Sequence, residues 1–364
     1  MGLIQDFDSR VTMTRALTYC PTVGEIREHP ILPRRARICP SRGLRHSEGG
    51  RPEIKRINTL RSDCLFCSGA TPPILFYVMR DGRIEVLLDQ HGIDASLEWL
   101  KDKDRTQIQT FYDLVRVQRN HNQLDPDHVA RTFWNLTPAI ANEAEACFVT
   151  TLHPEYHYND IVELPTRAIA AVVRSLQFLE EWADNNELHI VPFVNGGKRV
   201  ESGQSVGDFH SQLYAVKNLP PRYEAIQCRR LSRHGCPVCE LINMKNLWVG
   251  SDPSSAVHLI ADPAPKHDWS LLVVPTECDA RLASVNAQAF ADVFQRGVRA
   301  WRGLFGVEPA FNLIIGCGDA VGHVFAELIP RTETNILAGY EEVQEYVISV
   351  PPEVAANALS YRML

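Results

Sequence analysis

Two stretches of this chain read as copies of one unit. Val206-Gly-Asp208-Phe-His210-Ser-Gln212-Leu213 in the first half is matched by Val321-Gly-His323-Val-Phe325-Ala-Glu327-Leu328 in the second. Upstream of each lies a Cys-x-x-Cys pair, Cys64/Cys67 and Cys236/Cys239. Between pair and motif stands a histidine eight residues before a proline, His157 before Pro165 and His267 before Pro275. A repeat of this kind requires two like folding units, and metal-type residues at matched places bring metal chemistry with it. The copies part where one has His210 and the other Phe325, which predicts one reactive half and one supporting half.

The element pattern repeats as well. In the first half, Ile74 to Met79 followed by Gly82 and Ile84 to Leu88 reads as a hairpin. Phe133 to Asn135, Ala146 to Thr151 and His189 to Asn195 read as strands. Apolar residues recur at helical spacing between Pro165 and Glu187. In the second half Val257 to Ala261, Trp269 to Val274, Phe311 to Gly316 and Gly322 to Ile329 read as strands, and Ala280 to Phe305 as a long amphipathic helix ending at Gly306. Strand–strand–helix–strand–strand, twice, is an α+β plan: two antiparallel sheets with helices packed on one face. The junction falls near Pro220-Pro221, so the halves are 1–220 and 221–364. Residues 1 to about 60 read as loops with one hairpin.

With 364 residues there is chain enough for both cores, and 45 % apolar with 22 % charged residues is ordinary for a water-soluble globule. A formal charge of −7 without long basic runs argues against nucleic acid as a partner. No run reaches the ~18–20 apolar residues of a membrane span. The stretch from Met1 to Arg15 lacks the apolar core of an export signal, and Asp6 stands where a myristoylation signal needs Ser or Thr. The ten cysteines are therefore read as reduced and metal-ligating, in a cytoplasmic protein, rather than as disulfides.

Matched spacing predicts two tetrahedral zinc sites. The first set is Cys64, Cys67, His157 and Asp208, and the second is Cys236, Cys239, His267 and His323. His153 competes with His157, the proline spacing favouring His157. Asp208 has a second reading, as a carboxylate that orients a neighbour without touching metal, and either cysteine pair alone could simply be buried. Four protein ligands leave no open position for water or substrate, so both sites read as structural.

From Gly203 to Gln212 lies the chemical centre. Alternation along a strand puts Asp208, His210 and Gln212 on one face. A Gly/Ser-rich turn ahead of them lets backbone N–H groups approach a phosphate. An imidazole there can attack phosphorus, and Gln212 can donate to an oxygen as charge develops. The alternative is an ordinary hydrogen-bonded core histidine.

These motifs resemble those of the galactose-1-phosphate uridylyltransferase family of the histidine-triad superfamily. Its signature, roughly Gly-x-Ser-x-x-His-x-His-x-Gln after a Phe-x-Asn strand, is similar to Phe193-Val-Asn195, Gly203-Gln-Ser205 and Asp208-Phe-His210-Ser-Gln212. Phe133-Trp-Asn135-Leu-Thr-Pro138, Arg35-Ala36 and Gly339-Tyr340-Glu341 resemble further family segments, so the likeness runs from about residue 20 to the end. It implies a tandem duplicated histidine-triad-like fold with His210 as nucleophile. It also implies that Arg35, Asn135, Asn195, Gly203, Ser205 and Gln212 hold nucleotide and phosphate, that Tyr340 and Glu341 reach the acceptor, and that two copies pair in a homodimer. Three positions depart from the pattern: Asp208 replaces the first signature histidine, Asn335 a lysine, and Val347 a polar residue. The last two unsettle galactose 1-phosphate as substrate.

The expectation is a nucleotidyltransferase working by double displacement, moving a nucleoside monophosphate between a nucleotide sugar, or a similar nucleotide donor, and a phosphorylated acceptor. The alternatives are a nucleotide-sugar phosphorylase or a nucleotide hydrolase. From another class comes a non-catalytic zinc-stabilised nucleotide-binding scaffold, against which His210 and Gln212 together argue.

Overall fold

The computed structural model describes residues 25–38, 64, 66–67, 74–87, 127–135, 145–158, 160–197, 202–204, 206–233, 235–332 and 345–362. Strands β1 (Glu25–Glu28) and β2 (Arg35–Ile38) make an antiparallel hairpin near the start, as the sequence predicts for this region. The first half then supplies β3 (Ile74–Met79), β4 (Ile84–Val86), β5 (His128–Trp134), β6 (Ala146–Leu152), β7 (His189–Gly196) and β8 (His210–Val216). The second supplies β9 (Trp248–Ser251), β10 (Val257–Ala261), β11 (Leu271–Pro275), β12 (Phe311–Gly316) and β13 (Phe325–Pro330). A last strand, β14 (Glu345–Ile348), runs parallel to β2 and completes a three-stranded sheet.

The halves do not form separate sheets. One 11-stranded sheet runs β4-β3-β5-β6-β8-β7-β12-β13-β11-β10-β9. Read outward from its middle, each half repeats one order, and the halves join edge to edge where β7 pairs with β12, Asn195 opposite Asn312. Joining them removes the two edges that separate sheets would leave open. The expectation of two sheets is corrected by this pairing, while the α+β, antiparallel, duplicated plan stands.

The described helices are α1 (Thr166–Asn185), α2 (Pro221–Leu231), α3 (Pro237–Asn243), α4 (Ala287–Phe305) and α5 (Pro352–Ser360). The two long ones, α1 and α4, pack against each other and share one face of the sheet. Helix α4 is shorter than its periodicity implies. Asn286 caps it, its Oδ1 accepting from the Gln288 and Ala289 N–H groups, after a separate turn at Leu282–Ser284. A cap residue that satisfies the first free donors starts a helix more firmly than apolar spacing alone. Gly306 ends it at φ 77°. Among the described residues, no helix is long and apolar enough to cross a membrane.

The helices exchange polar contacts across the repeat. Gln177 of α1 donates to the Leu282 and Val285 carbonyls of the second half, and Gln295 of α4 donates to Ile161 and Leu164 of the first. Each half thus satisfies buried carbonyls in the other, which ties the repeat units into one core.

Strand parity decides what faces away from the helices. Phe148 meets Trp182 of α1, so its neighbours Val149 and Thr151 point the other way. Their partners in β8 are Gln212 and His210. In the second half Leu328 lies against α4 beside Gly297, so Glu327 faces away. A single register row links Phe133, Val149, Gln212, Phe193, Ile314 and Glu327 across both halves.

Candidate active site and metal centres

His210 opens β8 and is buried, 3 % exposed. Its Nδ1 lies 2.8 Å from the Asp208 backbone carbonyl, and the Phe66 ring packs edge-on against the imidazole at 5.2 Å. A carbonyl only accepts, so Nδ1 carries the proton and Nε2 keeps its lone pair. Burial holds the His210 pKa below the ordinary value, against the pull of Asp208, which favours the neutral, nucleophilic ring. Gln212, two residues on, shares this face, and its Oε1 accepts from Asn135 Nδ2 at 3.3 Å. That contact uses the Gln212 amide oxygen, which leaves the nitrogen as its donor end. Asn195 follows Val194, which pairs with Ser211, and so lies beside His210. Gly203 has φ +77°, a left-handed conformation that favours glycine, and a Cβ there would stand 3.7 Å from Asn195 Nδ2. Asn135, Asn195, Gly203, His210 and Gln212 thus gather around one patch of sheet and turn.

Asp208 belongs to two constellations at once. Its carbonyl orients His210, while its Oδ2 sits 3.6 Å from Cys64 Sγ, 3.7 Å from Cys67 Sγ and 3.7 Å from His157 Nδ1. Cys67 Sγ is 3.2 Å from His157 Nδ1. Ligand atoms about 2.0–2.3 Å from a tetrahedral zinc stand roughly 3.3–3.8 Å apart, so these four groups fit the ion. His153 does something else: its Nδ1 accepts from the Glu155 N–H and caps the turn at Pro154–Tyr156. Two thiolates, one carboxylate and Zn²⁺ would leave one net negative charge. Arg131, fully buried on β5, lies under this set and donates from Nη2 to the Phe66 carbonyl in the turn between the cysteines.

The second cluster corrects the sequence reading. The residues brought together are Cys236, Cys239, Cys278 and His323, with ligand atoms within 4.8 Å of one another. His323 Nδ1 lies 3.3 Å from Cys236 Sγ and 3.7 Å from Cys239 Sγ, and its Nε2 donates to the Pro275 carbonyl at 2.9 Å, which fixes Nδ1 as the ligand atom. Burial pushes the Cys236 thiol up, but the contact with His323 and the backbone N–H groups outweigh it and bring the thiol to about 7. His267 is not in this group. Its Nε2 accepts from Arg331 at 2.8 Å, and burial, with Arg331 and Lys266 nearby, lowers its pKa to about 4. Spacing to the proline matched His157 and His267 in sequence, but the chain between β10 and β11 carries His267 toward β13 instead.

No family model matches this chain, and no curated protein matches it by sequence. Solved structures do. An ADP-glucose phosphorylase from Arabidopsis thaliana with bound ADP-glucose matches with a TM-score of 0.68 at 16 % identity, over 93 % of this chain and 99 % of its own. A GalT-like protein from Arabidopsis thaliana matches with a TM-score of 0.66 at 16 % identity, over 94 % and 99 %. A uridylyltransferase mutant matches with a TM-score of 0.58 at 16 % identity, over 66 % and 87 %. The fold is theirs: two like α+β units joined in one antiparallel sheet.

Within that fold the second half has different residues at the matching positions. Phe325, fully buried, stands two residues before Glu327, as His210 does before Gln212. Glu327 is held by Arg34 at 2.5 Å and Arg222 at 2.7 Å, and Arg34 also reaches Asp262 at 2.5 Å. The segment before β2 therefore lies over the second half. Arg35, expected near phosphate, is exposed on β2 in the small sheet, outside the sheet that holds His210. Ser205, Tyr340 and Glu341 lie outside the described residues. Sequence reasoning missed Cys278, Arg131, Asn312 and Arg331. Only Cys278 carried a signal, as a further cysteine three residues past Pro275.

Proposed function

We propose that this protein transfers a nucleoside monophosphate through a covalent adduct on His210. The observation that carries the reading is the 2.8 Å contact of His210 Nδ1 with the Asp208 carbonyl, which leaves Nε2 as a buried, neutral nucleophile among Asn195, Gly203 and Gln212. In the first step Nε2 attacks the α-phosphorus of a nucleotide sugar. The P–N bond forms, the P–O bond to the sugar 1-phosphate breaks, and its electron pair leaves on that oxygen. In the second step an acceptor phosphate oxygen attacks the same phosphorus, and the P–N electron pair returns to Nε2. The Nδ1–H···O=C bond stabilises the ring as positive charge develops, and Gln212 and Asn195 supply donors to the non-bridging oxygens.

Zinc, at the two clusters, would be held by Cys64, Cys67, His157 and Asp208 and by Cys236, Cys239, Cys278 and His323. It would supply stability and orientation, and through Asp208 the first cluster would hold the loop that aims His210.

A second reading makes inorganic phosphate the acceptor. Val347 favours it: in β14, opposite Arg37, it offers no polar group where the resembled family has one for the sugar phosphate. The long match to an ADP-glucose phosphorylase supports the same choice. Tyr340 and Glu341 as acceptor ligands, a cytoplasmic location and a homodimer belong to the proposal too, and light scattering at assay concentration tests the dimer.

Intact-mass analysis after incubation with ADP-glucose or UDP-glucose is the direct test. The expected result is one nucleoside-monophosphate adduct, lost in His210→Ala and retained in Phe325→Leu. Adding inorganic phosphate or a sugar 1-phosphate then separates the two acceptors. An adduct forming at the wild-type rate on another residue in His210→Ala would sink the assignment.

A further inference from the structure

Beside the proposed phosphate turn runs a chain of hydrogen bonds that begins in the other half. Arg331, just past β13, donates from Nε to Asn312 Oδ1 at 2.5 Å and from Nη1 to His267 Nε2 at 2.8 Å. Asn312 Nδ2 donates to Asn195 Oδ1 at 2.7 Å and to the Ser202 carbonyl at 2.8 Å. Beyond it, Asn195 Nδ2 faces Gly203.

The direction of this chain is not free. A guanidinium has donors only, so the atom of Asn312 that meets Arg331 must be its oxygen. That places the Asn312 nitrogen against Asn195 and Ser202. The Ser202 carbonyl can only accept, so it demands the same orientation. Asn195 must then offer its oxygen to Asn312, and its nitrogen is left facing the turn. Turning the Asn312 amide over would set donor against donor at Arg331 and acceptor against acceptor at Ser202. Both sites are largely buried, Asn312 9 % and Ser202 5 % exposed, so water does not readily make good the loss. His267 anchors the far end of the guanidinium, and it accepts because burial beside two cations keeps it unprotonated.

We infer that Arg331 is a positioning residue: acting through Asn312, it sets the Asn195 amide so that a donor faces the phosphate of the nucleotide. This rests on the proposed function for the identity of the ligand, but the amide orientation itself does not. It gives the non-nucleophilic half a part in the reaction. His267 stands at the position matched to a metal-cluster residue in the first half, yet its role differs, since it secures the residue that aims a donor for the active half.

Two measurements test this. In the free protein, with asparagine side chains selectively labelled with ¹⁵N, the Asn195 side-chain amide resonances should shift in Arg331→Met and stay near the wild-type position in Arg331→Lys, since lysine is also a donor only. With ADP-glucose or UDP-glucose, whichever labels the wild type, the saturating rate of adduct formation should fall on the order of 10- to 100-fold in Arg331→Met. It should fall at least as far in Asn312→Asp, which presents a second acceptor and draws the Asn195 nitrogen away from the turn. In Arg331→Lys it should stay within threefold of wild type. Unchanged Asn195 resonances in Arg331→Met overturn the inference. So does labelling of both Arg331→Met and Asn312→Asp at the wild-type rate. A wild-type chain that takes no adduct counts against the proposed reaction, while the resonance shift still decides the relay.

Discussion

Replacing Arg34 with methionine removes the cation at the centre of the cluster that fills the second half. Arg34 is 5 % exposed and makes three contacts, to the Ala264 carbonyl at 2.9 Å and to Glu327 and Asp262, each at 2.5 Å. Removing one partner of a buried pair typically costs about 3–5 kcal/mol, because the charge left behind is uncompensated. Here both carboxylates keep some company. Glu327 retains Arg222 at 2.7 Å, and Asp262 retains the Ala264 N–H at 3.0 Å and His29 at 3.4 Å. The expected loss is therefore near the lower bound, about 3 kcal/mol, a large part of the ~5–15 kcal/mol that holds a typical fold. It should depend on pH. Burial pushes the Asp262 carboxyl up to about 6, even against Arg34. A carboxyl whose folded pKa lies above its unfolded value binds its proton more tightly in the fold. Its contribution to stability therefore falls as pH rises between those values. Without Arg34 that window moves further up, so the variant should lose more at pH 8 than at pH 5. Urea denaturation followed by circular dichroism at both pH values measures this, and Asp262→Asn in the variant background should recover part of the loss. A loss under about 1 kcal/mol at pH 8, or equal losses at the two pH values, would refute the reasoning.

Elemental analysis of protein purified without added metal should find about two zinc equivalents. Cys278→Ser should lose one of them, while His267→Ala keeps both; the opposite pattern would restore the ligand set read from spacing. In the proposed reaction the neutral form of His210 attacks, and burial lowers its pKa, so the adduct-forming rate should stay flat as pH falls through 6.5 and drop only below it. A stopped-flow or quench profile with its midpoint at or above 6.5 would contradict this.

How far the site was legible in the sequence varied with how local each feature is. The proposed nucleophile and the residues proposed to hold phosphate lie within a few residues of one another: His210 and Gln212 alternate along one strand, and Gly203 precedes them in the turn. Both ends of the repeat unit were legible for the same reason, since a strand or helix depends mostly on near neighbours. Helix α4 shows the limit, because apolar spacing continued back to Ala280 while the cap at Asn286 set the start.

By itself the sequence determined the duplication, the antiparallel α+β plan, the presence of Phe325 where the other half has His210, and two cysteine pairs of metal-ligating type. Local spacing and residue chemistry suffice for each. The tertiary structure alone decided what depends on the path of the chain between segments. It joined the halves through β7 and β12, chose Cys278 over His267 for the second cluster, and laid Arg34 rather than Arg35 in the core. A metal cluster or a hydrogen-bond chain is closed by atoms a few ångströms apart in space, and residues as distant as Arg331 and Asn195 are linked through Asn312 only once β7, β12 and β13 have paired in register.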